Sequence, residues 1–177
     1  MREINVNGEK VIIRKANKSD AKELVEYVNI IGGQSDFLTF GVGEFNISIE
    51  EEEKIIENSL KKDNKLFIIA EYKGEIIGNL NFSGGLRQRT AHTGEFGVSV
   101  LKEYWGNKIG EELVNYLINW SEETGIIRKI NLRVRTDNER GICLYKKLGF
   151  VEEGMLKREF LIDDKFYDSL MMGLLIN

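Results

Sequence analysis

An alternating strand that runs through a glycine-containing turn into a long amphipathic helix constrains the fold of this chain most. The strand covers residues 95–100, where apolar Phe96 and Val98 alternate with smaller or polar neighbours. Gly106 and Gly110 lie in the turn, and the apolar residues after it recur at helical spacing. A helix that begins there presents backbone N–H groups without intrahelical acceptors, together with the positive end of its dipole. The stretch therefore predicts either a phosphate-binding turn or a tight turn that binds nothing.

The composition of the 177 residues is that of one globular domain, residues 1–177, large enough to bury a full core. A single cysteine, Cys143, excludes an intrachain disulfide and fits a reducing compartment; next to Leu144 in a predicted helix, it is expected to be buried. No signal peptide or membrane-spanning run is visible. The formal net charge of −4 disfavours nucleic-acid binding and weakly favours a cationic substrate. We expect a cytoplasmic protein with neither a nucleic-acid nor a membrane partner.

Periodicity and turn signals predict an α/β fold of mixed α+β type, with one central sheet of six to seven strands and helices on both faces. The sheet is expected to be mixed but mostly antiparallel, in the order β-α-α-β-β-β-α-β-α-β-β. The first strand follows an Asn7–Gly8 turn, Ser48 and Glu51 form a capping box for the second helix, and Gly125 ends the third. The predicted strands cover residues 11–14, 66–72, 75–82, 95–100, 130–134, 150–161 and 166–175.

The strand, helix and strand between residues 95 and 134 form a βαβ unit, so its two strands are expected to be parallel. Ligands of such sheets bind at the carboxyl ends of strands, where the strand order switches. This rule places Val100, the turn at residues 105–110, Arg135 and Asn138 around one crevice.

A long loop, residues 34–47, carries the aromatic residues Phe37, Phe40 and Phe45. Loops of this length in compact domains are often functional. The aromatic side chains either form the floor of a substrate pocket or pack into the core, and the sequence favours neither.

Two stretches, GEFGVSVLKEYWGNKIGEEL and INLRVRTDNERGICLYKKLGFVEEG, resemble the GNAT superfamily of acyl-CoA-dependent N-acetyltransferases. The resemblance covers nearly the whole chain, and the ending REFLIDDKFYDSLMMGLL is similar to the subgroup that acetylates amino acids, polyamines and protein N-termini. The family pattern at the turn is Arg or Gln, two residues, Gly, one residue, then Gly or Ala. Here Trp105, Lys108 and Gly110 occupy those positions, so a lysine replaces the central glycine. We expect Gly106 to relieve the turn instead, and the Lys108 N–H to stay available if its φ is negative.

The resemblance implies a GNAT-like domain that binds acetyl-CoA (coenzyme A) and no metal. N–H groups of the turn would bind the pyrophosphate, the pantetheine arm would pair with residues 98–100 as an added strand would, and Asn138 would hydrogen-bond the arm. The predicted cofactor-binding residues are Val98, Ser99, Val100, Trp105, Gly106, Asn107, Lys108, Ile109, Gly110, Asn138 and Tyr145.

Acetyl transfer to an amine needs a base, because a free alkylammonium has a pKa of ~10.4. Glu95 is the candidate base, directly or through a water, although it is equally consistent with an ordinary outward-facing carboxylate; Asp36, Glu71 and His92 are the other candidates. The resemblance places the family's general-acid tyrosine at Tyr145, where a packed aromatic is the alternative. A backbone N–H near residues 98–100 would stabilise the oxyanion. The predicted substrate-binding residues are Phe37, Phe40 and Glu95.

The sequence therefore predicts an N-acetyltransferase that transfers the acetyl group of acetyl-CoA to a primary amine of a small molecule or peptide N-terminus, by direct attack in a ternary complex. A non-catalytic acyl-CoA sensor is the alternative, motivated by Lys108. A Rossmann-type nucleotide site is disfavoured because the glycine spacing does not match G-x-G-x-x-G. The final hairpin, with Phe166, Tyr167 and Leu170 expected to be exposed, is a candidate surface for a homodimer.

Overall fold

The computed structural model describes residues 1–6 and 8–177 of the chain. The strands are β1 (Arg2–Val6), β2 (Glu9–Lys15), β3 (Lys65–Tyr72), β4 (Glu75–Gly84), β5 (Thr93–Val100), β6 (Lys129–Arg135), β7 (Val151–Ile162) and β8 (Lys165–Leu175). The helices are α1 (Ala21–Ile31), α2 (Ile49–Leu60), α3 (Ile109–Thr124) and α4 (Glu139–Lys147), with one-turn 3₁₀ helices at Lys18–Asp20 and Lys102–Tyr104. Within the described ranges, no helix has the length and apolar character needed to cross a membrane.

The strands form one open sheet in the order β1-β2-β3-β4-β5-β6-β8-β7. Neighbouring strands are antiparallel except β5 and β6, which are parallel as the βαβ pattern predicts. The mixed, mostly antiparallel sheet with helices on both faces is therefore confirmed. The predicted order of elements is also confirmed, apart from one additional strand.

The additional strand is β1, which brings the described part of the sheet to eight strands instead of the predicted six to seven. It pairs with β2 from Arg2–Ile13 to Val6–Glu9 at the edge of the sheet. Edge strands are solvated on one side, so their alternation of apolar and polar residues is a weak signal. In the predicted Asn7–Gly8 turn, Asn7 lies outside the described residues, and Gly8 has φ 86°.

The sheet separates two apolar cores because successive residues of a strand point to opposite faces. Ile68 and Ile69 of β3 are both fully buried, one in each core. The first core contains the apolar stripe of α3, including Leu113, together with the inner side of α4. The second contains residues of α1 and α2 such as Leu24 and Ile56. We call the side of α3 and α4 the first face of the sheet and the side of α1 and α2 the second face.

The predicted helix boundaries at Ser48 and Gly125 are confirmed. Ser48 Oγ accepts the Glu51 N–H at 3.2 Å and Glu51 Oε2 accepts the Ser48 N–H at 2.9 Å, which completes the capping box. The α3 helix ends at Gly125, whose left-handed φ of 64° suits glycine.

Cys143 is exposed on α4, so the expectation that its thiol is buried is wrong. The inner side of this short helix carries Ile142, Tyr145 and Leu148, which pack on the first core. Consecutive helical residues are rotated by about 100°, so Cys143 lies outside that stripe.

Candidate active site

A wedge-shaped cleft opens between the parallel strands β5 and β6. In the described chain these strands pair from Thr93–Lys129 to Glu95–Asn131. Beyond Glu95, β5 continues to pair with β4, and β6 continues to pair with β8. The edges that residues 96–100 and 132–135 turn toward each other therefore border a gap, which widens toward the carboxyl ends of both strands.

Backbone groups of Val98 and Val100 point into this cleft. The N–H of Leu101 donates to the carbonyl of Ile77 on β4 at 2.9 Å. Since alternate residues of a strand direct their backbone groups to the same side, Val98 and Val100 face away from β4. The Trp105 indole N–H donates a hydrogen bond to the Val100 carbonyl at 2.7 Å, so this carbonyl already has a partner. The remaining backbone groups form an edge that an extended ligand arm can pair with, as an added strand does.

The turn between β5 and α3 contains two residues with left-handed backbone, Gly106 with φ 86° and Lys108 with φ 62°. The condition that Lys108 has a negative φ is therefore not met. A left-handed backbone costs a residue with a Cβ about 1–2 kcal/mol, which explains why glycine suits this position. Lys108 is the N-cap of α3 and adopts the conformation that the glycine of the family pattern would adopt without strain.

The first turn of α3 presents backbone donors and has its acidic side chains neutralised. The Glu112 N–H makes the first helical bond, to the Lys108 carbonyl at 3.0 Å, so the amides of Ile109 and Gly110 have no intrahelical acceptor. Glu111 is bound by Lys147 of α4 at 2.7 Å, and Glu112 lies 2.7 Å from Arg2. The first turn can therefore accept an anion despite its two carboxylates. The Trp105 N–H, in contrast, donates to the Lys102 carbonyl at 3.2 Å.

Glu95 lies at the narrow end of the cleft, on the second face of the sheet. Its carboxylate is exposed and accepts the Arg133 Nε–H at 2.8 Å. Arg133 also donates to Glu159 of β7 at 2.5 Å, and the hydrogen bonds to Glu95 and Glu159 raise the pKa of Arg133. The Glu95 carboxylate is therefore held in place by its ion pair with Arg133.

Tyr145 lies beside the cleft in a cluster of aromatic rings. Its ring centroid is 6.0 Å from that of Phe96 on β5 and 6.0 Å from that of Phe150, both edge-on. Burial raises the pKa of the Tyr145 hydroxyl to about 12, so the hydroxyl stays protonated at neutral pH. No other described residue forms a hydrogen bond with the Tyr145 hydroxyl. Tyr145 is therefore packed among aromatic rings and also keeps a protonated hydroxyl, so its packing does not exclude the role of a hydrogen-bond donor.

Asn138 starts α4 at the carboxyl end of β6. Its side-chain oxygen accepts the Gly141 N–H at 2.9 Å, and its backbone N–H donates to the Arg135 carbonyl at 3.0 Å. An asparagine amide has separate acceptor and donor atoms, so the cap uses the oxygen and leaves Nδ2 as the donor for a ligand.

The aromatic residues of the 34–47 loop divide between the two predicted roles. The Phe40 and Phe45 rings pack together at 5.0 Å and lie against the second core. Phe37 remains 40% exposed and its ring lies 5.0 Å from the Arg135 guanidinium. Only Phe37 of the three lies at the open end of the cleft.

Two of the three other candidate bases lie away from the cleft. Glu71 is bound by Arg14 at 2.8 Å on β3, which β4 separates from β5. His92 is exposed and precedes β5, at the end opposite Val100. Asp36 is exposed in the loop near Arg135.

The sequence did not reveal a partly buried chain of hydroxyl and amide groups on the second face of β5. The Tyr27 hydroxyl of α1 bonds to Ser99 Oγ at 2.9 Å, and Ser99 donates to Asn79 Oδ1 at 2.8 Å. Burial raises the pKa of Tyr27, opposed by hydrogen bonds with the Ser99 side chain and the Asn79 backbone. The side chain of Ser99, predicted to bind the cofactor, thus joins α1 to β5. Arg133 was also missed, although its alternation with Arg135 on β6 was a usable signal.

Comparison with known proteins identifies the family. The model of the acetyltransferase (GNAT) family matches residues 35–150. An acetyltransferase of the GNAT family from Streptococcus pneumoniae is 34% identical and superposes with a TM-score of 0.92, over 94% of this chain and 99% of that one. A spermidine N(1)-acetyltransferase from Vibrio cholerae is 23% identical over 153 residues, which are 85% of this chain and 87% of that protein.

A second similar structure was solved with its cofactor. It is yncA from Salmonella typhimurium with acetyl-CoA, which is 18% identical and has a TM-score of 0.82 over 94% of both chains. At this identity the likeness concerns the fold. Together with the family match and the open cleft between β5 and β6, these findings lead to one conclusion: the chain belongs to the acetyltransferase (GNAT) family, whose members take the acetyl group from acetyl-CoA.

Proposed function

We propose that this protein is an N-acetyltransferase that transfers the acetyl group directly to a primary amine while both substrates occupy the cleft. The observation that supports this most is the cleft itself. It joins an open strand edge, at Val98 and Val100, to the unpaired amides at the start of α3. A long acyl carrier with an anionic diphosphate and an amide-bearing arm matches both parts.

Different residues of the chain would bind different parts of acetyl-CoA. The amides of Ile109 and Gly110, with the dipole of α3, would bind the diphosphate. Val98 and Val100 would pair with the arm, and Asn138 Nδ2 would donate to it. Acetyl-CoA supplies the activated thioester, and the cleft-facing amides of β5 would stabilise the developing oxyanion.

Glu95 is the proposed base. An alkylammonium must lose a proton before it attacks, and a positioned base contributes roughly 10²–10⁴ in rate. Glu95 lies where the cleft narrows, and Arg133 holds its carboxylate at 2.8 Å. This contact fixes the carboxylate while leaving it exposed, so that the proton passes to Glu95 directly or through one water.

Tyr145 is the proposed donor to the departing thiolate. A hydroxyl whose pKa burial raises to about 12 is a weaker acid than a thiol, with its ordinary pKa of about 8.5. Tyr145 therefore stabilises the thiolate mainly by donating a hydrogen bond. Its edge-on contacts with Phe96 and Phe150 hold the ring in place.

The acceptor is proposed to be a small primary amine or a peptide N-terminus. The relative from Vibrio cholerae acts on spermidine, and the net charge of −4 suits a cationic amine. Phe37 and Glu95 border the open second face and would contact the acceptor. Phe40 would support this surface from behind, through its contact with Phe45.

The test is a screen of L-amino acids, polyamines and short peptides with acetyl-CoA, read by release of free thiol. The proposal predicts turnover with at least one class and a new amide on the product by mass spectrometry. Tight acetyl-CoA binding without acetylation of any amine would instead support the acyl-CoA sensor. Lys108 motivated that alternative, but it adopts the left-handed backbone that the turn requires.

We also propose that residues 1–177 act as one domain.

We further propose that the protein forms a homodimer through the final hairpin, formed by β7 and β8. Phe166 is 51% exposed and Leu161 is 59% exposed, so apolar surface is available there. Tyr167 and Leu170, in contrast, are half-buried, because Tyr167 packs on Arg135 and Leu170 on the first core. A monomeric mass in solution would contradict the dimer. The cytoplasmic location stays a prediction.

A further inference from the structure

A short segment of the 34–47 loop crosses the open mouth of the cleft, and we call residues 34–37 the strap. At one end, Gln34 Oε1 accepts the N–H of Lys102, two residues after β5 ends, at 2.8 Å. At the other end, the Asp36 carbonyl accepts a hydrogen bond from Arg135 Nη1 at 2.7 Å. Arg135 is the last residue of β6. The strap therefore connects the two strands where they lie farthest apart.

Arg135 is the more extensively bonded of the two anchors. Its side chain is 4% exposed, and its guanidinium is forked onto Asp137 through Nε at 3.0 Å and Nη2 at 2.6 Å. The guanidinium carbon lies 3.7 Å from the centroid of the Tyr167 ring and 5.0 Å from that of Phe37. A charged group is buried at acceptable cost only when it is paired and hydrogen-bonded, and here it is both.

These contacts join three parts of the site through one side chain. Asp36 and Phe37 belong to the strap, Tyr167 belongs to β8, and Asp137 precedes Asn138 at the start of α4. Arg135 lies four residues beyond the last β5–β6 pair, which is about 13 Å along the strand. The side chain therefore bridges the strap and the turn that carries Asn138.

The strap lies on the second face of the cleft, the face that carries Glu95. The first face of the cleft is filled by the core that contains Phe96 and Tyr145. The second face carries Glu95, and there the strap with Phe37 lies over the mouth. Glu95 and the strap therefore border the same face of the cleft, Glu95 at its narrow end and the strap at its wide end.

We propose that Arg135 is a positioning residue for the acceptor amine, which holds the strap and Phe37 in place over the second face of the cleft. This inference rests on the proposed N-acetyltransferase function and adds to it the group that shapes the acceptor pocket. Lysine cannot replace Arg135, because an ammonium has neither the planar fork that Asp137 and Asp36 use nor a flat surface to stack on Tyr167.

The experiment compares Arg135→Lys, Gln34→Ala and wild type by steady-state kinetics. It uses acetyl-CoA and the amine that turns over fastest in the screen of amino acids, polyamines and peptides. The matched control is Arg14→Lys. Arg14 is also forked onto a carboxylate, Asp20, at 2.7 and 2.9 Å, but it lies on β2, far from the cleft. Thermal unfolding of all variants measures the structural cost of losing a forked guanidinium.

We expect Arg135→Lys to raise the KM of the amine by at least about tenfold and to leave the KM of acetyl-CoA within about twofold. Gln34→Ala should raise the KM of the amine by about threefold, because one anchor remains. Arg14→Lys should lower the unfolding temperature similarly without changing either KM. An unchanged amine KM in Arg135→Lys, or an equal rise in both KM values, would overturn the proposal.

A second readout needs no turnover and separates this inference from the proposed function. Wild type and the Arg135→Lys and Arg14→Lys variants are treated with chymotrypsin in the presence of acetyl-CoA alone. Faster cleavage after Phe37 and Phe40 in Arg135→Lys only would support the anchoring role. Equal cleavage in all three proteins would overturn it. If wild type acetylates no amine, the proposed function fails, and the cleavage result still decides the role of Arg135.

Discussion

Replacement of Lys108 by glycine tests the backbone strain inferred for the turn between β5 and α3. Lys108 has φ 62°, which costs a residue with a Cβ about 1–2 kcal/mol. Glycine removes that strain, but its greater freedom in the unfolded chain costs about 0.5–1 kcal/mol. The expected net gain in the free energy of unfolding is about 0.5–1 kcal/mol, or a rise of about 1–4 °C in the unfolding temperature.

The measurement is urea and thermal unfolding of Lys108→Gly beside two matched variants. Lys61→Gly places glycine at an exposed lysine with φ −87°, so it should lose about 0.5–1 kcal/mol. Gly106→Ala adds a Cβ at φ 86° where no atom lies within 4 Å, so its loss of about 1 kcal/mol or more reflects backbone strain alone.

Acetyl-CoA binding to the same variant separates the backbone of Lys108 from its side chain. Because the amides of Ile109 and Gly110 remain in place, we expect the Kd of acetyl-CoA to stay within about twofold of wild type. A less stable Lys108→Gly protein would refute the strain argument. A loss of acetyl-CoA affinity beyond about tenfold would show instead that the lysine side chain binds a phosphate.

Four further predictions concern catalysis and the helix that carries Tyr145. Tyr145→Phe should lower kcat about tenfold or more with little change in acetyl-CoA affinity. In wild type, Tyr145 stays protonated because its pKa is about 12, so kcat should not fall as the pH rises toward about 10. Glu95→Gln should lower kcat by about 10²-fold, whereas Glu153→Gln, which removes the partner of Lys129 at 2.7 Å, should leave kcat within about twofold. Asn138→Ala should cost about 1 kcal/mol in unfolding experiments through loss of the α4 cap and should also raise the KM of acetyl-CoA; unchanged values of both would contradict the dual role.

Local patterns were sufficient to predict most of the fold. The capping box at Ser48 and the glycine after α3 are decided by neighbouring residues, so sequence alone places them. The parallel pairing of β5 and β6 follows from the length of the connection between them. The edge strand β1 was missed because its apolar residues are only half-buried.

The location of the candidate site could be predicted from the sequence, but the side-chain contacts within it could not. The strand-turn-helix stretch located the cleft and the open amides of α3, since both depend on local backbone. The ion pair between Arg133 and Glu95 joins residues 38 apart, and the bond from Arg135 to Asp36 joins residues 99 apart. Such pairs depend on strand register and loop path, which single-residue periodicity does not specify.

The left-handed backbone of Lys108 is a further feature that the sequence did not predict. The sequence signals a departure from glycine at this position but carries no information on which conformation the lysine adopts. Tertiary context sets it: the turn must connect the end of β5, fixed by the Trp105 contact with Val100, to α3, which packs on the first core.

The account stands on the claim that the cleft between β5 and β6, together with the start of α3, binds acetyl-CoA. A ¹H–¹⁵N NMR titration of the wild-type protein with acetyl-CoA tests this claim most directly, since it reports on each amide. The account predicts saturable shifts that are largest at the amides of Val98, Val100, Ile109 and Gly110. Saturable binding that leaves these four amides unshifted, or no binding at all, would contradict it.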